Sequence, residues 1–113
     1  MHELSIISSV INMVEENCRD NNISKVEKIV LKIGEFSYIN NSSLIFAFES
    51  LSKDSICEDA TLDIEKVIAM AYCKNCNKEF HVEFSKKECP ICNKYSVDIT
   101  NGYEMLLYRI EGE

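Results

Sequence analysis

The 113-residue chain contains no tryptophan, one proline and three glycines, and these shortages exclude several classes of protein. So little glycine and proline leaves no collagen-like or low-complexity segment. The hydrophobic fraction of 46% is enough for a packed core, so intrinsic disorder is not expected. No stretch approaches the ~20 apolar residues of a transmembrane helix, and the N-terminus lacks the features of a signal peptide. We therefore predict a cytoplasmic protein with no membrane association.

Positive charge is also scarce, with 12 basic residues against 19 acidic ones and a formal net charge of −7. Binding to phosphates requires clustered lysine and arginine, so nucleic acid is not the expected partner. An acidic domain of this size is better suited to protein partners or metal cations. The length allows one ordinary domain with a small appended module.

Hydrophobic periodicity predicts two helices. The first covers about residues 4–20, with one apolar face made of residues at three- and four-residue steps, namely Leu4, Ile7, Val10, Ile11, Val14 and Cys18. The second follows the segment "NNSS" at 40–43, whose side-chain oxygens can cap free N–H groups at a helix start. Its predicted buried stripe comprises Leu44, Ala47, Phe48 and Leu51.

Alternating residues predict three strands, at 27–33, at about 61–72 and at 103–110. A cysteine-rich segment separates the last two. The predicted fold class is therefore α+β, a small three-stranded sheet with two helices plus an inserted zinc-ribbon-like β-hairpin module. The predicted domains are an α/β base domain at 1–71 and 99–113 and a metal-binding module at 72–98.

Four of the six cysteines form two C-x-x-C pairs, "CKNC" and "CPIC", which are Cys73, Cys76, Cys89 and Cys92. Two such turns bring four thiolates to one ion in the tetrahedral geometry that zinc prefers. The alternating Phe80, Val82 and Phe84 between the pairs predict a β-hairpin under the site. With four protein ligands the ion has no open position for water, so the site is predicted to be structural rather than catalytic.

Other uses of these cysteines are open to test. A single iron also fits a four-sulfur site, and ferric tetrathiolate would be red where zinc is colourless. A redox C-x-x-C requires one pair at the start of a helix, and the two matched pairs argue against it.

Cys18 is predicted to be a buried structural thiol, and Cys57, in a polar loop, is given no role. His81 is predicted to be an outward-facing strand residue that could modulate the zinc site as a neighbour.

The other histidine is His2, beside the N-terminal amine. The amine of Met1, the amide nitrogen of His2 and its imidazole Nδ1 can form a five- and a six-membered chelate ring around one ion. The Glu3 amide or carboxylate could supply a fourth donor. Such nitrogen sets suit square-planar Ni(II) or Cu(II). The chemistry alone leaves open a simpler interpretation, in which Glu3 only favours the N-terminus of the first helix.

Several segments together resemble the HypA/HybF family, the nickel metallochaperones of nickel–iron hydrogenase maturation. They span nearly the whole chain in order: "MHE", "SIISSV", "IGE", "FAFES", the C-x₂-C-x₁₂-C-P-x-C pattern and "NGYEM". The resemblance implies nickel binding by Met1, His2 and Glu3, and structural zinc at the four cysteines. It further implies delivery of Ni(II), as cargo, to the hydrogenase large-subunit precursor with a HypB-type GTPase as partner. Some relatives also supply urease.

One feature departs from the family pattern. Some relatives have an acidic residue near the start of the second helix, where this chain has Asn40 and Asn41, so an oxygen donor from that loop is not expected. The main alternative function is a zinc-ribbon adaptor that binds a protein partner and no second metal. An enzyme is not predicted, because a metal-dependent hydrolase would need an open-site ligand set that the sequence lacks.

Overall fold

A computed structural model describes residues 3–113 and contains two helices and six strands in that range. In chain order the elements are α1 (Glu3–Asp20), β1 (Val26–Gly34), a 3₁₀ turn (Glu35–Ser37), α2 (Asn41–Leu51), β2 (Thr61–Val67), β3 (Met70–Cys73), β4 (Lys78–His81), β5 (Ile99–Asn101) and β6 (Met105–Gly112). The strands form a three-stranded mixed sheet in the order β2-β1-β6 and a separate small sheet in the order β4-β3-β5. The predicted α+β fold class is confirmed. Neither helix within residues 3–113 is long and apolar enough to cross a bilayer.

The chain divides into two compact units. Unit 1 comprises Met1–Leu31, Ile39–Glu65 and Leu106–Glu113, and unit 2 comprises Lys32–Tyr38 and Lys66–Met105. The predicted functional division, with a base domain at 1–71 and 99–113 and a module at 72–98, stays a prediction.

The core of unit 1 takes its largest buried side chains from both helices and from β1. On α1 the predicted apolar face is confirmed from Ile7 to Cys18, whereas Leu4 is 56% exposed. On α2 three of the four predicted core residues are buried, and Leu51 is 40% exposed. The two errors have the same cause. Each residue lies in a terminal turn of its helix, where the apolar periodicity of the sequence continues past the part of the helix that packs on the core.

The N-terminus of α2 is capped as the sequence predicted. Asn40 lies in extended conformation before the helix, and its Oδ1 accepts a hydrogen bond of 2.9 Å from the backbone N–H of Ser43. This bond satisfies one of the N–H groups that a helix start leaves without a partner inside the helix.

The predicted strand at 61–72 is wrong as a single element. It divides into β2 and β3, which belong to different sheets. At the break, the N–H of Ala69 donates to Glu35 Oε1 at 3.0 Å instead of to a neighbouring strand, and Ile68 is 57% exposed. The third predicted strand is confirmed with a shift, as β6 begins at Met105, and the short strand β5 was not predicted.

In unit 2 the backbone of Gly34 lies directly against that of Gly102. A Cβ added to Gly34 would lie 2.2 Å from both the carbonyl carbon and the oxygen of Gly102. The same contact is fixed by two short hydrogen bonds, from the N–H of Gly34 to the Glu104 carbonyl and from the N–H of Phe36 to the Gly102 carbonyl, each 2.7 Å long. Only glycine fits at position 34, because the atoms opposite are backbone and cannot rotate away.

Replacing Asn40 with alanine should lower the free energy of unfolding of the metal-loaded protein by about 1 kcal/mol, because the capping bond to Ser43 is lost. Urea unfolding followed by far-UV circular dichroism measures this change. Asn41→Ala is the matched control, since Asn41 is the first helical residue and not the cap. Equal losses in the two variants would contradict the capping role.

Replacing Gly34 with alanine should destabilise the protein by roughly 3 kcal/mol or more, because the new methyl group forces two backbones apart. Thermal unfolding by calorimetry checks this expectation. Ser37→Ala in the neighbouring turn removes only a hydroxyl bond to the Gly34 carbonyl and should cost much less. A Gly34→Ala protein as stable as Ser37→Ala would show that the close approach is not needed.

Candidate metal centre

The first pair of cysteines lies in the turn between β3 and β4. Cys73 ends β3 and pairs with Lys78, the first residue of β4, so the intervening residues form a tight hairpin turn that carries Cys76. The predicted hairpin is therefore confirmed, with its second strand at Lys78–His81. Phe80 and Val82 are buried as predicted, but Phe84 is 71% exposed, because the regular strand has ended before it.

The second pair lies in a turn closed by two backbone hydrogen bonds. The N–H of Cys89 donates to the Lys94 carbonyl at 2.9 Å, and the N–H of Asn93 donates to the Cys89 carbonyl at 2.8 Å. A bridge between Glu88 and Tyr95 holds the chain on either side of this turn.

Both turns end in the same way. The residue after the second cysteine is asparagine in each, and Asn77 and Asn93 adopt left-handed backbone conformations with φ of 54° and 62°. Asparagine tolerates this conformation better than most residues. The repeated "C-x-x-C-N" was visible in the sequence and could have predicted these two positions.

The four sulfurs converge on one point. All four Sγ atoms lie within 4.8 Å of one another, with 3.6 Å between Cys73 and Cys92 and 3.9 Å between Cys76 and Cys89. A tetrahedral site with metal–sulfur bonds of ~2.3 Å has sulfur–sulfur edges of ~3.8 Å. The donor set therefore has the dimensions of a tetrathiolate metal site.

The sulfurs also form part of the apolar core of unit 2. Cys73 and Cys89 are 3% and 2% exposed, and the other two cysteines of the site pack partly buried against the same cluster. The cluster's remaining buried members are Phe36, Ala69, Ala71, Phe80 and Val82. Holding the four sulfurs in place therefore also organises this apolar cluster of unit 2.

The electrostatics of the site favour a cation. The pKa of Cys92 is lowered to about 6, mainly because the backbone N–H of Lys94 donates to its sulfur. The pKa of Cys76 is raised to about 12 by burial first and by its sulfur neighbours second. Four adjacent sulfurs repel one another as thiolates, so a bound cation is what allows all four to be ionised together.

His81 lies outside the sulfur site, as predicted. Its Nε2 lies 3.3 Å from Glu35 Oε1, and its side chain is 47% exposed. The Glu35 carboxylate has a lowered pKa, first because the Ala69 N–H donates to it and then because of His81. His81 therefore contacts a carboxylate in the segment before α2, while an influence on the zinc site stays a prediction.

The two remaining cysteines lie in unit 1 and outside the metal site. Cys18 is 1% exposed, which confirms the predicted buried thiol. Cys57 is also fully buried, although its loop is polar in sequence, and its pKa is raised to about 11 mainly by burial. Thiols in such surroundings stay protonated at neutral pH and are poor nucleophiles.

The structure describes only one of the three residues predicted to bind nickel. Met1 and His2 lie outside the described residues. Glu3 is the first residue of α1, where a negative charge is favourable for the helix. Asn40 Oδ1 accepts the capping bond from Ser43, and the absence of an oxygen donor from this loop stays a prediction.

Comparison with known proteins gives matches over the full length of the chain. The family model described as "Hydrogenase/urease nickel incorporation, metallochaperone, hypA" matches residues 1–112. The chain belongs to the HypA family. The predicted family is thus confirmed, and it is a family of metallochaperones rather than enzymes.

Individual HypA relatives agree with this assignment. The hydrogenase maturation factor HypA of Psychromonas ingrahamii is 36% identical over 100% of this chain and 99% of its own length. That of Francisella philomiragia is 39% identical over 97% of each chain. The solution structure of the Ni metallochaperone HypA from Helicobacter pylori is 37% identical, with a TM-score of 0.71 over 99% of this chain and 97% of that one.

Replacing Cys73 with serine should remove the bound metal and disorder the β4-β3-β5 sheet, because three remaining sulfurs hold an ion far less tightly. Elemental analysis of the purified protein and amide dispersion in an NMR spectrum measure the two effects. Cys18→Ala is the matched control, since it removes a buried thiol outside the metal site. Full metal content in Cys73→Ser would contradict the assigned donor set.

Proposed function

We propose that this chain binds Ni(II) through Met1, His2 and Glu3 and delivers it to the large-subunit precursor of a nickel–iron hydrogenase. Its partners would be that precursor and a HypB-type GTPase, and its place of action the cytoplasm. The observation that carries the proposal is membership of the HypA family over residues 1–112, which includes the "MHE" segment.

The N-terminal segment has the right chemistry for this cargo. The amine, the His2 amide and the imidazole form fused chelate rings, which favour square-planar Ni(II) over tetrahedral zinc. Glu3 follows His2 directly and is the first residue of α1, so the third predicted nickel residue is also the start of the helix. A site at a chain end is open to an acceptor protein, as transfer requires.

We further propose that the four-cysteine site holds zinc as a permanent structural ion. The support is the closed set of four sulfurs and their spacing, which suits zinc and leaves no position for water or substrate. Cys73, Cys76, Cys89 and Cys92 would hold the ion, and its chemistry there is to neutralise four thiolates and fix the fold of unit 2. A colourless protein with one zinc per chain would distinguish this assignment from iron.

Replacing His2 with alanine should abolish specific nickel binding and leave zinc content and fold intact, because the imidazole and its chelate ring are lost. Isothermal titration of Ni(II) into the untagged, zinc-loaded protein measures the affinity. His81→Ala is the matched control, since the chain has two histidines and this one contacts Glu35 instead.

The same titration separates the two candidate functions. Addition of one residue before Met1 should also weaken nickel binding, because it moves the amine out of the first chelate ring. Unchanged nickel affinity in both altered proteins would place the nickel elsewhere. No uptake beyond one metal per chain in the unaltered protein would favour the zinc-ribbon adaptor.

A further inference from the structure

An apolar groove lies at the N-terminal ends of the two helices of unit 1. It has a volume of about 530 Å³ and is lined by Glu3, Leu4, Ser42, Ser43, Phe46 and Ala47. We call these six residues the helix groove. Two of its apolar side chains are open to solvent, Leu4 at 56% and Phe46 at 70% exposure.

The exposed apolar side chains of the groove do not belong to the core of unit 1. On α2 the residues that face the core are Leu44, Ala47 and Phe48, and Phe46 lies on the other side of the helix beside Ile45, which is 40% exposed. A single exposed apolar residue is ordinary in a protein. Neighbouring exposed apolar residues that line one concave surface are instead typical of an interaction site.

The charge around the groove restricts the partner. Unit 1 contains five basic and thirteen acidic residues, a formal charge of −8, whereas unit 2 has seven and six, a formal charge of +1. Glu3 lines the groove and the exposed Glu49 follows Phe46 by one helical turn. Helix α2 has no basic residue, and the basic residue of α1, Arg19, lies in its last turn. Here a partner's lysine or arginine would therefore meet Glu3 and Glu49, while Arg19 lies at the far end of α1.

We propose that the helix groove binds a segment of a partner protein that has an aliphatic or aromatic anchor flanked by lysine or arginine. The anchor packs on Leu4 and Phe46, and the basic residues lie next to Glu3 and Glu49. Grooves between helices commonly bind a partner segment in this way, with an apolar face in the groove and charged residues beside it. A second copy of this chain binding through the same face would bring two units of charge −8 together, which is unfavourable.

A docking site in the helix groove would extend the proposed function, and this extension rests on that function. Glu3 belongs both to the groove and to the predicted nickel site. A partner seated in the groove would therefore lie next to the cargo. Docking in the groove does not itself require nickel, so the two ideas can fail separately.

The test is an NMR titration of the untagged, zinc-loaded protein with a synthetic 14-residue amphipathic peptide of leucine and lysine. We expect the amide signals of Leu4, Ser42, Ser43 and Phe46 to move. Phe46→Ser should weaken binding about tenfold or more, as loss of a central apolar contact does. Val97→Ser is the matched control, because Val97 is 74% exposed and lies in unit 2.

Four results would overturn the proposal. These are equal binding by Phe46→Ser, equal binding of a leucine–glutamate peptide, equal binding of a serine–lysine peptide, and movement of the groove signals on concentration alone. The last would show that a second copy fills the groove. Nickel titration of Phe46→Ser and peptide titration of His2→Ala distinguish the two ideas, since the first tests nickel without docking and the second tests docking without nickel.

Discussion

The fold of unit 2 places four cysteine sulfurs close together, where they repel one another as thiolates, and the rest of the unit depends on overcoming this repulsion. Its strands are only three or four residues long, and its core includes the four cysteines themselves. Chains of roughly this size usually need a metal or disulfides to fold alone. The sulfurs converge within 4.8 Å, and only a cation makes that arrangement favourable for four ionised groups. With the proposed ion bound at these sulfurs, metal binding and the folding of this unit would be coupled.

A protein that carries one metal while keeping another needs two sites of opposite character. The four-cysteine site is closed and half-buried, which suits the permanent structural ion proposed for it. The proposed nickel site instead uses the end of the chain and nitrogen donors, which differ in both geometry and ligand type.

Local patterns predicted the elements that depend on local physics. The periodicity of α1 and α2, the capping role of Asn40 and the C-x-x-C turns follow from short-range chemistry, and the structure has all of them. Other features depend on residues that are distant in sequence. At the break between β2 and β3 the Ala69 N–H donates to the carboxylate of Glu35, and the burial of Cys57 depends on packing that its polar loop does not reveal.

The two predicted metal sites also differ in how far local sequence could predict them. The four cysteines could be read from spacing alone, since the turn geometry and the ion dictate it. Chelate chemistry made nickel at His2 one of two open interpretations, and the family resemblance of the whole chain was needed to choose between them. The helix groove could not be predicted at all, because the sequence places Leu4 on the apolar face and gives no sign that Phe46 lies near it.

The order of the chain through the two units limits how the protein can be divided. Phe36, a core residue of unit 2, belongs to the segment Lys32–Tyr38, which is separated in sequence from Lys66–Met105 by residues of unit 1. A fragment that starts after α2 would therefore keep all four cysteines and lose one ring of the core beneath them. Gly34, whose close contact with Gly102 belongs to the same unit, would be lost with it. The four-cysteine part of this protein is thus not a transferable module in the way that a contiguous zinc finger is, and dissection or domain grafting has to carry the upstream segment along.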